Sequence, residues 1–331
     1  MPHTITLANQ RQFQAERGIV LLDAALAGGL VLEHGCRTGR CGGCKAQVTH
    51  GDTVPLKAEP SLTDAERAGG WILTCTREAA GDLTLDIEDL GALAAIGTKT
   101  LPCRIDSLTR LADDVMQVTL RLPPNAGFAF LAGQYIDITS PGGVRRSYSM
   151  ASDPADASKI ALQIRRVEGG EMSRYWFDEA KPNDLLRFRG PLGTFFLRDV
   201  AGLDLVFLAT GTGIAPIVSM LKTLPRLDAA QRPASVTVYW GGRQPADLYL
   251  DIPALAPEAG FVPVLSRPPE GWRGARGHVQ RAFLQAQPDL ARTAVYACGS
   301  PAMTEGARAL LVERGLNPKR FHADAFVVSS N

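Results

Sequence analysis

Between residues 116 and 122 apolar and polar side chains alternate without a break, Met116, Val118, Leu120 and Leu122 against Gln117, Thr119 and Arg121. A period of two predicts a strand with one buried face. Tyr135–Thr139 and Ile160–Val167 continue the pattern, with Pro and Gly between the runs. An antiparallel sheet follows, and closing it into a barrel would hide its edges. From about residue 200 the pattern changes. Leu205–Ala209, Val236–Trp240, Val262–Leu265 and Val295–Cys298 are continuous apolar runs separated by helical stretches, which predicts parallel strands covered on both faces in a doubly wound α/β layer.

The N-terminal region differs from both. Thr4–Leu7 and Gln12–Ala15 read as short strands, and Ile19–Leu26 as a helix stopped by Gly28–Gly29. Ala46–Thr49 and Leu83–Ile87 would complete a small mixed sheet. The Gly/Ala/Thr-rich stretch from Gly91 to Thr100 reads as a linker. The expected plan is a multidomain chain of α+β and α/β parts: residues 1–93, a linker at 94–100, a barrel at 101–199 and the α/β domain at 200–331.

Composition narrows the function. The chain has 331 residues and a net charge of +1, with no basic stripe of the kind nucleic acid requires. No apolar run is long enough to cross a bilayer, and no basic start with an apolar core reads as a leader. No nucleic acid, no membrane and a cytoplasmic location are therefore expected. Residues 1–95 hold 8 Lys and Arg against 12 Asp and Glu, a balance of −4.

The strongest signal lies in the cysteines. Cys36, Cys41 and Cys44 stand at C-x4-C-x2-C and Cys75 follows at a distance, the ligand spacing of a plant-type [2Fe–2S] cluster. Glycines at 35, 39, 42 and 43 would let the loop curl around the metal. The alternative is a zinc site with four cysteine ligands, in a binding module without turnover, but zinc sites more often use two short knuckles. Cys103 and Cys298 remain as free thiols. Arg37 and Arg40 place positive charge beside the ligands, where it would raise the potential and face an acidic partner; the alternative is two simply solvated arginines.

Three further motifs carry candidate chemistry. Strand Leu205–Ala209 runs into Gly211-Thr212-Gly213-Ile214-Ala215-Pro216, a glycine turn opening a helix where a pyrophosphate could approach the backbone. Arg146-Ser147-Tyr148-Ser149 puts a guanidinium and an aromatic ring on one strand face, suited to phosphate and to a flat ring. The stretch from Arg165 through Gly170, Met172 and Ser173 places backbone amides at a helix start, where a diphosphate could bind. Each alone is also compatible with an ordinary turn or strand surface.

Together these motifs resemble, over nearly the whole chain, the iron–sulfur flavoprotein reductases. In these an N-terminal plant-type ferredoxin domain precedes a ferredoxin-NADP reductase-like module. The resemblance is carried by residues 34–44, Leu131–Tyr135, Arg146–Ser149, Gly190–Phe196, the turn at 211–216, Tyr296–Gly299 and Asp324–Phe326. Within the family the chain looks most like the reductases of sugar 3-dehydrases, and the oxygenase reductases share the plan. The resemblance implies a β-grasp ferredoxin domain, an antiparallel FAD-binding β-barrel and a doubly wound parallel-sheet NAD-binding domain. It implies FAD held by Arg146, Tyr148, Ser149, Gly170, Met172 and Ser173, and a nicotinamide nucleotide at Thr212 and Gly213. Cys298 would lie beside the reactive ring and Phe326 would cover the flavin until displaced, giving Ser149, Cys298 and Phe326 the positions nearest the chemistry. NADH is implied over NADPH. Arg243 could meet a 2′-phosphate, but Asp247 would oppose it. Electrons would pass from NADH through FAD and the cluster to a partner enzyme, a pyridoxamine-dependent sugar 3-dehydrase or an oxygenase.

Overall fold

The computed structural model describes residues 2–93, 96–156 and 158–326. The chain divides into two compact units. The first comprises residues 1–97 with 193–195 and the residues from 324 onward. The second holds the rest, so the barrel and the α/β half belong to one unit.

The first unit is built on strands β1 (His3–Leu7), β2 (Gln12–Ala15), β3 (Lys45–His50), β5 (Trp71–Leu73) and β7 (Leu83–Asp86), in the order β2-β1-β7-β3-β5. β1 runs parallel to β7, and the β1–β2 and β3–β7 pairs are antiparallel, the mixed sheet of a β-grasp. Helix α1 (Leu21–Ala27) packs Leu21, Leu22, Ala24 and Ala25 into the core with Ile5, Leu7 and Leu85. It starts two residues later than the periodicity predicts. Val20 is its N-cap, and Ile19 stays outside it, exposed. A two-stranded ribbon of β4 (Thr53–Pro55) and β6 (Arg77–Ala79) and the helix α2 (Asp64–Ala68) escape sequence reading because each is only three to five residues long. α2 is fixed by a Thr63/Glu66 capping box.

The barrel consists of β8 (Lys99–Ala112), β9 (Val115–Arg121), β10 (Tyr135–Thr139), β11 (Arg145–Ser149), β12 (Lys159–Arg165) and β13 (Leu185–Leu192), ordered β11-β10-β13-β8-β9-β12. Bridging of Met150 to Leu162 and the Ala151 N–H to Ala161 carbonyl bond (2.8 Å) join the two edges. Closure leaves few backbone groups at a free edge. The segment expected as a linker is shortened: Lys99 and Thr100 pair with Gly190 and Arg189, and Gly91–Leu93 is a single 3-10 turn. Residues 94 and 95 lie outside the described residues. A helix α3 (Glu171–Arg174) continues into a π-turn at Tyr175–Glu179, which carries the buried Trp176.

The α/β half has a sheet ordered β17-β16-β15-β14-β18-β19: β14 (Asp204–Thr210), β15 (Ser235–Gly242), β16 (Gly260–Leu265), β17 (Ala275–Arg276), β18 (Thr293–Gly299) and β19 (Phe321–Ala325). β14, β15, β16 and β18 pair in parallel, as their unbroken apolar runs predict. Helices α4 (Ile214–Thr223), α5 (Ile252–Leu255), α6 (Val279–Gln285) and α7 (Pro301–Glu313) connect them. The order reverses at β14, between β15 and β18, where open α/β sheets bind their ligands.

Candidate cluster loop and nucleotide sites

The four cysteines stand in two close pairs. The Cys36 N–H donates to Cys41 Sγ (3.2 Å), and the Cys44 and Cys75 sulfurs lie 3.2 Å apart. The hydrogen bond from Cys41 holds the Cys36 thiol down at about 4, while the same bond and burial push Cys41 up. Cys75 is likewise lowered by its bond from Cys44, which is raised. A metal bound there would take both members of each pair as thiolates. The Thr38 N–H also points at Cys36 Sγ (3.4 Å). A Cβ at Gly35 would stand 3.0 Å from Cys41 Sγ, so a side chain there would crowd that sulfur. At Gly39 the backbone has φ 76° and presses against the Ala58 carbonyl, which only glycine tolerates without strain. This thiol-rich, N–H-lined loop fits a [2Fe–2S] core, two thiolates to each iron.

Two supports of the loop are invisible to motif reading. Glu59, 9% exposed, takes a bidentate pair from Arg77 (2.7–3.1 Å) and the hydroxyl hydrogen of Thr76 (2.8 Å). It thereby fixes the segment that presents Cys75. Burial pushes its carboxyl up, but Arg77 and Thr76 hold it below the usual range. Thr194 donates to the His34 carbonyl (2.7 Å) and accepts from the His34 N–H (2.8 Å). Burial keeps His34 below its ordinary value.

In the barrel, β11 sets Arg146 and Tyr148 half-buried on one face, and Ser149 is buried at the strand end. Trp176 Nε1 donates to the Tyr148 hydroxyl (3.0 Å), with the rings edge-on. Burial raises Tyr148 to about 12, so the phenol keeps its proton. Gly170 caps α3, while Met172 is packed in the barrel core and the Ser173 hydroxyl accepts from the Val167 N–H (2.8 Å). Only the backbone of residue 172 is thus available to a ligand.

Arg165 parts company with that cluster. Its guanidinium lies over the glycine turn, so that a Cβ at Gly211 would be 3.4 Å from Nη1. Asp114 (3.4 Å) and Asp247 (3.8 Å) flank it, yet Nε and Nη2 are buried without a hydrogen-bond partner among the described residues. A guanidinium above a glycine turn, with Nε and Nη2 ion-paired but not hydrogen-bonded, fits a pyrophosphate. The turn Gly211–Gly213 leads into the wholly buried N-terminal part of α4. A Cβ at Gly213 would run into the Cys298 carbonyl, so glycine is needed for close helix–strand approach. Thr212 sits between these two glycines, and Cys298 is fully buried at the end of β18, paired with Ala209. Arg243 is tied to Asp247: the Asp247 carboxylate accepts from the Arg243 N–H (2.6 Å), from its Nε (3.4 Å) and from the Gln244 N–H (3.2 Å). Phe326 is half-buried and ends the described chain.

Three family patterns match the chain: a 2Fe-2S iron-sulfur cluster binding domain over residues 5–79, an oxidoreductase FAD-binding domain over 102–197 and an oxidoreductase NAD-binding domain over 207–309. A cluster, a flavin and a nicotinamide nucleotide are therefore its cofactors, and the zinc alternative is set aside. The chain belongs to the iron–sulfur flavoprotein reductases, enzymes that pass electrons from NAD(P)H through FAD to a [2Fe–2S] cluster. Among its relatives is the CDP-6-deoxy-L-threo-D-glycero-4-hexulose-3-dehydrase reductase of Yersinia pestis, 40% identical over 321 residues, with 96% of each chain covered. The aromatic O-demethylase reductase subunit of an Amycolatopsis species is 34% identical, with 97% of each covered. The crystal structure of the Amycolatopsis cytochrome P450 reductase GcoB superposes with a TM-score of 0.72 at 31% identity, covering 99% of this chain and all of the other. Among the described residues no helix is long and apolar enough to cross a membrane.

Proposed function

We propose that this reductase draws on NADH and delivers its electrons to a pyridoxamine-dependent CDP-4-keto-6-deoxyglucose 3-dehydrase of 3,6-dideoxyhexose synthesis. The observation that carries the client is the 40% identity, end to end, with a reductase named for such a dehydrase. A second reading, the reductase of an oxygenase, is favoured by the GcoB superposition.

Bound FAD accepts the electron pair of a hydride and releases it singly, as a one-electron cluster requires. The chain's own residues hold and orient. Cys36 and Cys41 would hold one iron and Cys44 and Cys75 the other. Arg146, with the amides around Gly170, Met172 and Ser173, would neutralise FAD phosphates, and Tyr148 and Ser149 would line its ring. Arg165 and the Gly211–Gly213 turn would take the nucleotide pyrophosphate, with Cys298 at the end of the strand behind them. The NADH preference rests on Asp247. Its carboxylate engages the Arg243 backbone and guanidinium, so the cation that would attract a 2′-phosphate is already partnered and an anion stands in its place.

The test is reconstitution. Purified reductase, the dehydrase with pyridoxamine phosphate, its CDP-sugar and NADH should consume NADH in step with sugar deoxygenation. NADH oxidation that responds to an oxygenase but not to the dehydrase would replace the first client by the second.

A further inference from the structure

If electrons leave for a partner protein, as just proposed, they leave across a surface, and the inference below rests on that reading. Residues 1–95 carry a balance of −4, and most of their cations are neutralised within the fold. Arg11 pairs with Asp89, Arg37 with Asp23, Lys45 with Glu66, Arg67 with Asp64 and Arg77 with Glu59. The loop cation Arg37 is thus spoken for by α1. Among the described residues of this region, Arg17, Arg40 and Lys57 alone have no acidic partner. Two of these flank the ligands. Arg40 precedes Cys41 and is exposed. Lys57 donates its backbone N–H to the carbonyl of Thr76 (3.2 Å), the residue after Cys75.

The same face is apolar. Ile19, Val54 and Leu56 are 42–44% exposed, three of the five exposed large hydrophobic side chains among the described residues. They are joined through the Cys75 segment. The Leu56 N–H also bonds the Thr76 carbonyl (2.8 Å), Val54 pairs with Glu78 across the ribbon, and the Glu78 carboxylate accepts from the Gly18 N–H beside Ile19. A small apolar centre with an unneutralised charged rim is the anatomy of a protein interface, and the sign of the rim selects the partner and speeds encounter. Here two of the three cations without an acidic partner among the described residues of an acidic region lie where the electron must exit. The geometry points to Ile19, Arg40, Val54, Leu56 and Lys57 as the docking surface for an electron-accepting protein that presents an acidic rim around an apolar patch.

The test uses holoenzyme reduced by NADH without oxygen. It is mixed with the dehydrase and, separately, with two cobalt(III) oxidants of opposite charge, tris(oxalato)cobaltate and hexaamminecobalt. Each oxidant takes one electron from the reduced cluster to give cobalt(II), followed as cluster reoxidation. The native protein should reduce the anionic complex faster, an advantage that shrinks as ionic strength rises from about 20 to about 300 mM. In Arg40→Glu/Lys57→Glu the rate with the anionic oxidant should fall about tenfold and that with the cationic one should rise. Leu56→Ser, which removes apolar surface without changing the charge, should weaken dehydrase binding in a direct titration about tenfold while leaving the order of the two cobalt rates unchanged. Native cluster absorption in every variant shows that the fold is intact. The inference is overturned if charge reversal leaves the order of the two oxidants and the affinity for the dehydrase where they were. If the dehydrase takes no electrons but the cobalt order still inverts, the surface stands and the proposed client falls. If the dehydrase accepts electrons equally well from the charge-reversed protein at low salt, the surface falls and the client stands.

Discussion

The cluster loop and the nucleotide half solve the same problem, holding a cofactor, in opposite ways. Around the cluster, three of the four proposed ligands come from nine consecutive residues, and a turn of glycines gives them room. The proposed nucleotide site would instead gather Arg165 from a barrel strand, Gly211 and Gly213 from a strand–helix turn, Asp247 from the loop after β15 and Cys298 from the end of β18. A covalently ligated core demands a tight local motif, whereas a long nucleotide is held by many weaker contacts that only the fold brings together. The first kind of site should fail all at once when one residue is lost, and the second should fail by degrees.

The largest effect is expected at Cys75→Ser. The cluster absorption and all electron delivery beyond the flavin should vanish, while NADH-driven dye reduction by the flavin persists; measuring both on one preparation would show whether the two sites are separable. Gly213→Ala comes next. The added methyl meets the Cys298 carbonyl, and overpacking of about 1–3 kcal/mol should fall on the nucleotide half. The KM for NADH should then rise by an order of magnitude or more while the cluster spectrum is kept.

Glu59→Gln should cost about 2–3 kcal/mol in denaturant unfolding followed at the cluster, because it leaves the Arg77 guanidinium without its bidentate partner. It also has a pH signature. A carboxyl depressed on folding stabilises the protein above its unfolded pKa, and that stability is lost as pH falls through the lower folded value. The native cluster should therefore loosen as pH drops below about 4, and the glutamine variant should lack that part of the acid dependence. Asp247→Asn should narrow the ratio of kcat/KM for NADH over NADPH by about tenfold, read also as tighter binding of 2′-AMP. Smallest of all, Trp176→Phe removes one hydrogen bond to Tyr148, about 1 kcal/mol, and should show as a few-fold weaker FAD affinity with a shifted flavin spectrum.

The same contrast explains what the sequence disclosed. The cysteine spacing, the alternation at Met116–Leu122 and the apolar runs of β14, β15, β16 and β18 are local signals, and all are legible before folding. The ribbon of β4 and β6 is too short to display a period, and β8 hides its strand character behind Pro102 and a run of polar residues. Arg165 reads in sequence as part of the segment that continues to Ser173, but its side chain crosses to the glycine turn. Glu59 and Thr194 carry no motif at all. Their roles arise from pairing with residues 18 and 160 positions away, Arg77 and His34.

The account rests on electrons reaching the cysteine-held cluster from NADH by way of the flavin. Anaerobic titration of the holoenzyme with NADH, followed by visible absorption and low-temperature electron paramagnetic resonance, tests this directly. The flavin should bleach, and a reduced [2Fe–2S] signal absent from Cys75→Ser should appear. Bleaching of the flavin with the native cluster still oxidised and silent, in the presence of excess NADH, would contradict it.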